Sequence, residues 1–376
     1  MRHFILVILI YNTNGQSNDL TQLSQVRKYE ILKAEEKKET SADWVLDPVV
    51  QVRWDFSDCE KTGMFGPSQE DCSAAYFDSN LADNIRVNSG VQSWVVPADG
   101  LYLVTAAGPA GSSVGAGGRG RGAILEANFH LMKGEIIDII VGQKSDYNLD
   151  IDPSSKRGLG GSGGTFVVRR QDSKILMAAG GGGGGAGIKS NLGLSKNVND
   201  ASPYPWGQDA SSISRPPEGL EHLGNGGNEG SGGIFGADLL APYGLRYGGG
   251  GGAGFGNLTG SPDDGDGGVH PTSKQRPRGA KNFLTKGTGM NSRGVGGYLQ
   301  FKPRSTLIKI PITNNGGFGG GGYGSADGGA GGGGGYSGGG GGPADGYSGG
   351  GGSLNNGFRQ TNKITNAGPG KFQCFE

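Results

Sequence analysis

Apolar residues recur along this chain in short runs parted by turn-forming residues, at a spacing suited to strands rather than helices. Trp94-Val95-Val96-Pro97 is followed by a turn at Ala98-Asp99-Gly100 and by Leu101 to Ala107. Ala123 to Leu131, a turn at Lys133-Gly134, and Glu135 to Val141 repeat the arrangement. Thr165 to Arg170, a turn at Asp172-Ser173, and Lys174 to Ala179 predict a hairpin. Val49, Val50 and Val52 around Gln51 predict a first strand soon after Trp44. Tyr298 to Phe301, Thr306 to Ile312 and Lys371 to Gln373 also have strand composition. About six to nine short strands with almost no helical periodicity predict a mainly β chain, built as an antiparallel sandwich or jelly roll.

The N-terminal end reads differently. Met1-Arg2-His3 followed by Phe4 to Tyr11 has the charged start and short apolar region of a secretory signal. A buried N-terminal strand is the other reading of the same run. It is far shorter than the roughly 20 residues that span a bilayer, and no other stretch is apolar enough to do so. Residues 1–15 are therefore expected to be a leader. Residues 16–43 are expected to be a polar linker, since stretches such as Lys33 to Glu39 hold too few apolar positions for a core. Residues 44–373 are expected to form one domain.

Composition changes the picture of that domain. Glycine accounts for 81 of 376 residues and for 24 of the 37 positions from Gly316 to Gly352. Further blocks lie at 180–187 and 248–256. Glycine does not recur at every third position with abundant proline, which excludes collagen. Such blocks are either flexible linkers or ordered threefold extended helices of the polyglycine II type, whose backbones approach closely because no Cβ intervenes. Ordering them costs much conformational entropy, so they need anchors at both ends. Strands such as Met177-Ala178-Ala179, which runs into Gly180, supply them. The 34 basic and 34 acidic residues cancel, which removes the broad electrostatic case for nucleic acid or an anionic membrane.

Candidate chemistry is sparse. Cys59 and Cys72 enclose a short polar loop and would pair in an oxidising compartment, adding about 3 kcal/mol in the chain-entropy model. Cys374 is left over. It suggests a following module, beginning at 374–376, that would hold its partner; a free or intermolecular thiol is the alternative. Asn257-Leu258-Thr259 is a glycosylation sequon in a glycine-rich loop. His3, His130, His222 and His270 have no metal spacing, and Asp263 to Gly267 lacks the later glutamate of a calcium loop. No metal, no cofactor and no catalytic residue is expected. Arg119-Gly120-Arg121-Gly122 is one copy of a motif that binds RNA only in repeats, and reads as an ordinary loop. Tyr323, Tyr336 and Tyr347 are either oxidative cross-linking sites of a matrix protein or aromatic spacers between glycine helices.

Three groups of residues together resemble a known family. The first is Trp94 to Tyr102 leading into Ala106-Ala107-Gly108-Pro109-Ala110-Gly111. The second is Ile140-Val141-Gly142-Gln143, then Gly160 to Val167, then Ala178-Ala179 opening a glycine run. The third is Gly316 to Gly322 followed by Gly335-Tyr336-Ser337-Gly338-Gly339. With Trp54-Asp55-Phe56, Cys59, Gly66-Pro67-Ser68-Gln69, Cys72 and Ala75-Tyr76 upstream, Trp54 to Gln373 resembles the extracellular glycine-rich domain of the anaplastic lymphoma kinase and leukocyte tyrosine kinase receptors.

The resemblance implies a tumour-necrosis-factor-like sandwich joined to a lattice of glycine helices. It also implies an extracellular or cell-surface setting, a small secreted cytokine-like ligand and a receptor dimer. The kinase would lie beyond a membrane-spanning helix, so this chain is expected to be a fragment carrying the ligand-binding region alone. In the vertebrate receptors acidic residues flank a Gly-x-Gly near the last strand and meet basic ligand residues. Here Gly368-Pro369-Gly370 is flanked by Ala367 and Lys371, so those contacts do not carry over. The ligand-binding residues are left unassigned. The alternative function is a secreted matrix or coat protein with no signalling role.

Overall fold

The computed structural model describes residues 52–112, 120–145, 158–186, 199–211, 221–238, 246–255, 275–278, 298–301, 315–325, 328–343 and 346–375. The chain is mainly β. Its first part runs β1 (Arg53–Phe56), a short helix α1 (Gln69–Ala75), β2 (Ile85–Asn88), β3 (Val91–Val95), β4 (Gly100–Ala107), β5 (Gly122–Leu131), β6 (Ile136–Ile140), β7 (Thr165–Arg169) and β8 (Lys174–Ala179). Short pairs follow: β9 (Glu221–His222), β10 (Ala237–Asp238), β11 (Arg246–Tyr247), β12 (Gln275–Arg278) and β13 (Tyr298–Phe301). The chain closes with β14 (Leu354–Asn355), β15 (Phe358–Asn366) and β16 (Lys371–Phe375).

Two antiparallel sheets dominate. One has five strands in the order β1-β16-β4-β5-β15, the other six in the order β14-β8-β7-β6-β3-β2. They pack through a core in which Trp54, Phe56, Tyr102, Val104, Leu125 and Phe372 of the first meet Trp94, Ile137, Ile139, Val167 and Met177 of the second. Trp94 stands 5.2 Å from Trp54 and edge-on to Tyr102 at 6.2 Å, ring centre to ring centre.

The β7–β8 hairpin forms as expected, with a bulge between Val167 and Val168. The other two strand–turn–strand segments do not close hairpins. β3 pairs with β2 and β6, while β4 pairs with β5 and β16. The turns at Ala98-Asp99-Gly100 and at Lys133-Gly134 thus carry the chain from one sheet to the other. The true hairpin beside them is β2–β3, closed by Ser89 (φ 50) and Gly90 (φ 83), both left-handed as a two-residue type I′ loop requires.

The disulfide links Cys59 to Cys72 and ties α1 to the loop after β1, while Gln69 of α1 accepts the Val87 amide of β2 at 2.7 Å and holds the two side by side. Ser68 caps α1 by accepting the Asp71 amide, while the Asp71 carboxylate accepts the Ser68 amide at 2.9 Å. The boundary expected between residues 373 and 374 falls inside β16. Cys374 lies opposite Trp54 and Val104 and is fully buried in the sandwich core. Of the other expected strands, Thr306 to Ile312 lies outside the described residues, as do Val49 and Val50.

The glycine blocks form a third layer. Phe255 and Phe318 pack on the far face of the six-stranded sheet against Val91, Ile140, Phe166, Val168 and Ala178, with Tyr336 half-buried beside them. Within the layer the backbone groups bond across segments, and the direction of the donor repeats every three residues. Gly331 and Gly334 donate to the carbonyls of Leu159 and Ser162, Gly332 and Gly335 to those of Gly250 and Ala253, and Gly333 and Tyr336 to those of Gly349 and Gly352. Likewise Gly181 and Gly184 donate to Gly334 and Gly331, and Gly182 and Gly185 to Pro109 and Ser112. Glycine is required here by proximity. A Cβ on Gly333 would overlap the carbonyl oxygen of Gly181, and one on Gly334 that of Gly319.

Candidate functional site

The six-stranded sheet is covered on both faces, by its partner sheet and by the glycine layer. The five-stranded sheet buries one face only, and its other face is the candidate site. Alternation fixes what that face presents. Along β4, Tyr102, Val104 and Ala106 turn into the core, leaving Leu101, Leu103 and Thr105 outward. Along β5, Leu125, Ala127 and Phe129 turn inward, leaving Ile124, Glu126, Asn128 and His130 outward.

Register aligns these residues into rows. Arg53, Phe375, Leu103, Asn128 and Phe358 lie opposite one another across all five strands. The guanidinium of Arg53 sits over the Phe375 ring at 5.3 Å and pairs with Asp55 at 2.7 Å. At the other end His130 stacks on Phe358 with ring centres 5.5 Å apart, and Leu101 is opposite His130. The result is an apolar stripe with Leu101 46% and Phe358 40% exposed.

The next row, Asp55, Gln373, Thr105, Glu126 and Thr361, is polar. Gln373 donates to the Asp55 carboxylate at 2.8 Å. The third row places exposed Lys371 and Lys363 on either side of Ala107 and Ile124. Neither lysine makes an ion pair with a described residue. The face therefore joins an apolar stripe to a basic corner, an arrangement that suits protein recognition more than catalysis.

The edge strand β15 is exposed at most positions on both sides. From β15 the chain returns through Gly368-Pro369-Gly370 to β16. There the Gly368 carbonyl accepts the Ala110 amide, and Asn366 donates to the Gly108 carbonyl at 2.7 Å. Ala367 and Lys371 on either side are exposed.

Other residues singled out from sequence fall elsewhere. Arg121 binds Asp200 through its backbone amide at 2.6 Å and its Nε at 3.0 Å, fastening the loop before β5 to the glycine layer. Tyr323 and Tyr347 are buried in that layer. Asn257, His3, His270 and Asp263 to Gly267 lie outside the described residues. Among the described residues no group of three histidine, cysteine or acidic side chains is placed to hold a metal, and no helix is long and apolar enough to cross a membrane.

The outward rows were not predicted as a site. In β4 both faces are largely apolar, so the strand pattern does not say which leucines lie outside. The signal that finds them is the pairing register, which the sequence does not state.

No family model matches the chain. Over 126 residues it is 33% identical to the leukocyte tyrosine kinase receptor of Mus musculus, a match that covers 30% of this chain. The chain spans only 14% of the length of that receptor, so what the two share is a partial similarity to one region of a receptor tyrosine kinase.

Proposed function

We propose that this chain is the extracellular ligand-binding region of a receptor of the anaplastic lymphoma kinase and leukocyte tyrosine kinase type, recognising a small secreted protein through the outer face of its five-stranded sheet. The single observation that carries the reading is the difference between the two sheets. One is clamped on both faces, whereas the other offers an open row from Arg53 to Phe358 on a backed, rigid support. The two sheets are read as a tumour-necrosis-factor-like jelly roll, and the threefold donor repeat as bundled polyglycine II helices. The disulfide and the apolar run after Met1-Arg2-His3 support export. Five strands about 4.8 Å apart and about six residues long present a patch on the order of 400 Å², a footprint for a small ligand.

The matrix-protein reading needs tyrosines offered for cross-linking. Of the three in the blocks, Tyr323 is 4% and Tyr347 6% exposed and Tyr336 alone is partly open, which argues against it.

The test is a chimera carrying this chain ahead of the membrane-spanning and kinase parts of the mouse receptor, displayed on cells. The cells are exposed one by one to a library of secreted proteins, with receptor tyrosine phosphorylation as readout. One small secreted protein is expected to trigger it, and Leu103→Asp with Phe358→Asp is expected to abolish the response while leaving surface display unchanged. A response that survives those substitutions would move the site off this face. No response to any library member, with the chain instead building an insoluble extracellular deposit, would sink the receptor reading.

A further inference from the structure

At its Val95 end the six-stranded sheet runs on past the glycine layer. The aromatic contacts of that layer, Phe255 and Phe318, rest on Val91, Ile140 and Phe166. Further along the same outer face, register places Arg86 beside Ser93 and Ser93 beside Asp138, with Val95 beside Ile136 in the next row. There the face opens: Val95 is 53% exposed, and Arg86 and Arg170 are exposed as well.

Arg170 reaches this row from just past the end of β7 and is held in place. Its Nε donates to Asp138 Oδ2 at 3.0 Å, and its Nη2 donates to Asp138 Oδ1 and to the Ser93 hydroxyl. Ser93 in turn donates to Asp138 at 2.9 Å, so one carboxylate, with only 7% of its side chain exposed, organises the cluster. A buried ion pair adds little net stability. What this one does is fix the plane of a guanidinium whose Nη1 has no hydrogen-bond partner among the described residues, leaving those N–H donors for a group outside.

Arg86 completes the arrangement. As the cross-strand neighbour of Ser93 it makes no ion pair with a described residue, and it brings a second guanidinium within reach of the same point. Two arginines against the single Asp138 leave one net positive charge. Guanidinium groups set this way favour an oxyanion that accepts hydrogen bonds from both. Val95 and Ile136 beside them offer apolar surface to whatever carries the anion. We propose that this corner binds a singly charged oxyanion on an apolar body, a sulfate ester or a carboxylate, with Arg170 preset and Arg86 completing the grip. It lies on the other sheet from the face already described, and the proposal is independent of the receptor reading.

The test is calorimetric titration of the full chain with phenyl sulfate, benzoate and phenyl phosphate, and with methyl sulfate and acetate as anions without a ring. Saturable binding of phenyl sulfate or benzoate, one per chain, is expected, and the tighter of the two identifies the anion. That anion is expected to bind at least about fivefold tighter than its ring-free counterpart. Val95→Asn is expected to erase this advantage. Arg86→Ala, an exposed change expected to leave the melting temperature unaltered, should weaken binding at least about tenfold. Arg170→Lys keeps a cation for Asp138 but loses the fork, and should weaken it too. The proposal would be overturned by no saturable binding at millimolar concentration, by phenyl phosphate binding tightest, by no gain from the ring, or by binding undiminished in either arginine variant.

Discussion

Phe318 donates its backbone amide to the carbonyl of Gly63 at 2.6 Å, so the long glycine block and the disulfide-closed loop share a bond. The ring of the same residue sits where Gly66 and Gly90 meet; a Cβ on either glycine would overlap it. Phe318 therefore pins the glycine layer to the six-stranded sheet and to the Cys59–Cys72 loop at one point. Phe318→Ala is expected to lower stability by about 3–5 kcal/mol, measured by denaturant unfolding of the secreted chain. Amide exchange from Gly316 to Gly322 should quicken in the same variant.

Two glycines separate the two reasons for using glycine. Gly333 has negative-φ backbone but no room, whereas Gly134 has φ +85 and nothing within 4 Å of where a Cβ would stand. Gly333→Ala is expected to cost about 3 kcal/mol, the upper end of overpacking, and to disturb its neighbouring segments. Gly134→Ala should cost about 1–2 kcal/mol through backbone strain alone. Equal losses, or a larger one at Gly134, would contradict the close packing described for the layer. Melting curves with exchange mapping make the comparison.

The clasp between Arg121 and Asp200 joins the sandwich to the layer. Ala201 donates back to the Arg121 carbonyl at 2.8 Å, so the contact is reciprocal. Asp200→Ala is expected to lose about 2 kcal/mol and to raise exchange at Ala201 and Ser202 before any change in β5. Uniform exchange across both regions would mean the clasp is not a local fastening.

The helix α1 supplies a pH prediction. Asp71 is drawn down from its ordinary 3.8 to about 2, first by the hydrogen bond from the Ser68 backbone amide and next by that from Lys61. A carboxylate depressed on folding stabilises above its unfolded value and loses that contribution as pH falls through its folded value. The contribution of Asp71 is thus complete above about pH 4 and gone below about pH 2. Asp71→Asn should melt lower than the parent at pH 6, and the difference should vanish near pH 1.5. A difference that stays constant over that range would refute the capping role.

Much of the sandwich was legible because buried strands carry their own signature. Thr165 to Ala179 declares a hairpin, and a hairpin forms. The segments around Ala98-Asp99-Gly100 and Lys133-Gly134 show the limit of that signature, since a turn between strands looks alike whether the chain doubles back or changes sheet. The choice is made by Trp94 and Tyr102, which meet edge to face from opposite sheets, a contact no local pattern encodes. β15 was invisible for the opposite reason. Phe358-Arg359-Gln360-Thr361-Asn362-Lys363 has no buried face, hence no alternation. The candidate face inherits this blindness, because its outermost row ends on that strand. Within the glycine blocks identical residues carry no information about which neighbour each bonds, and only interruptions such as Phe318, Tyr336 and Ser337 mark position.

The threefold repeat of donors in the glycine layer also constrains how such a sequence can change length. One extra glycine between Gly334 and Gly335 would shift every later amide by one place in that repeat and aim each at the wrong neighbour. Three extra residues would restore the phase and merely lengthen the segment. Length differences inside these blocks, whether engineered or inherited, should therefore come in multiples of three residues, a reading-frame rule imposed by hydrogen bonds rather than by codons.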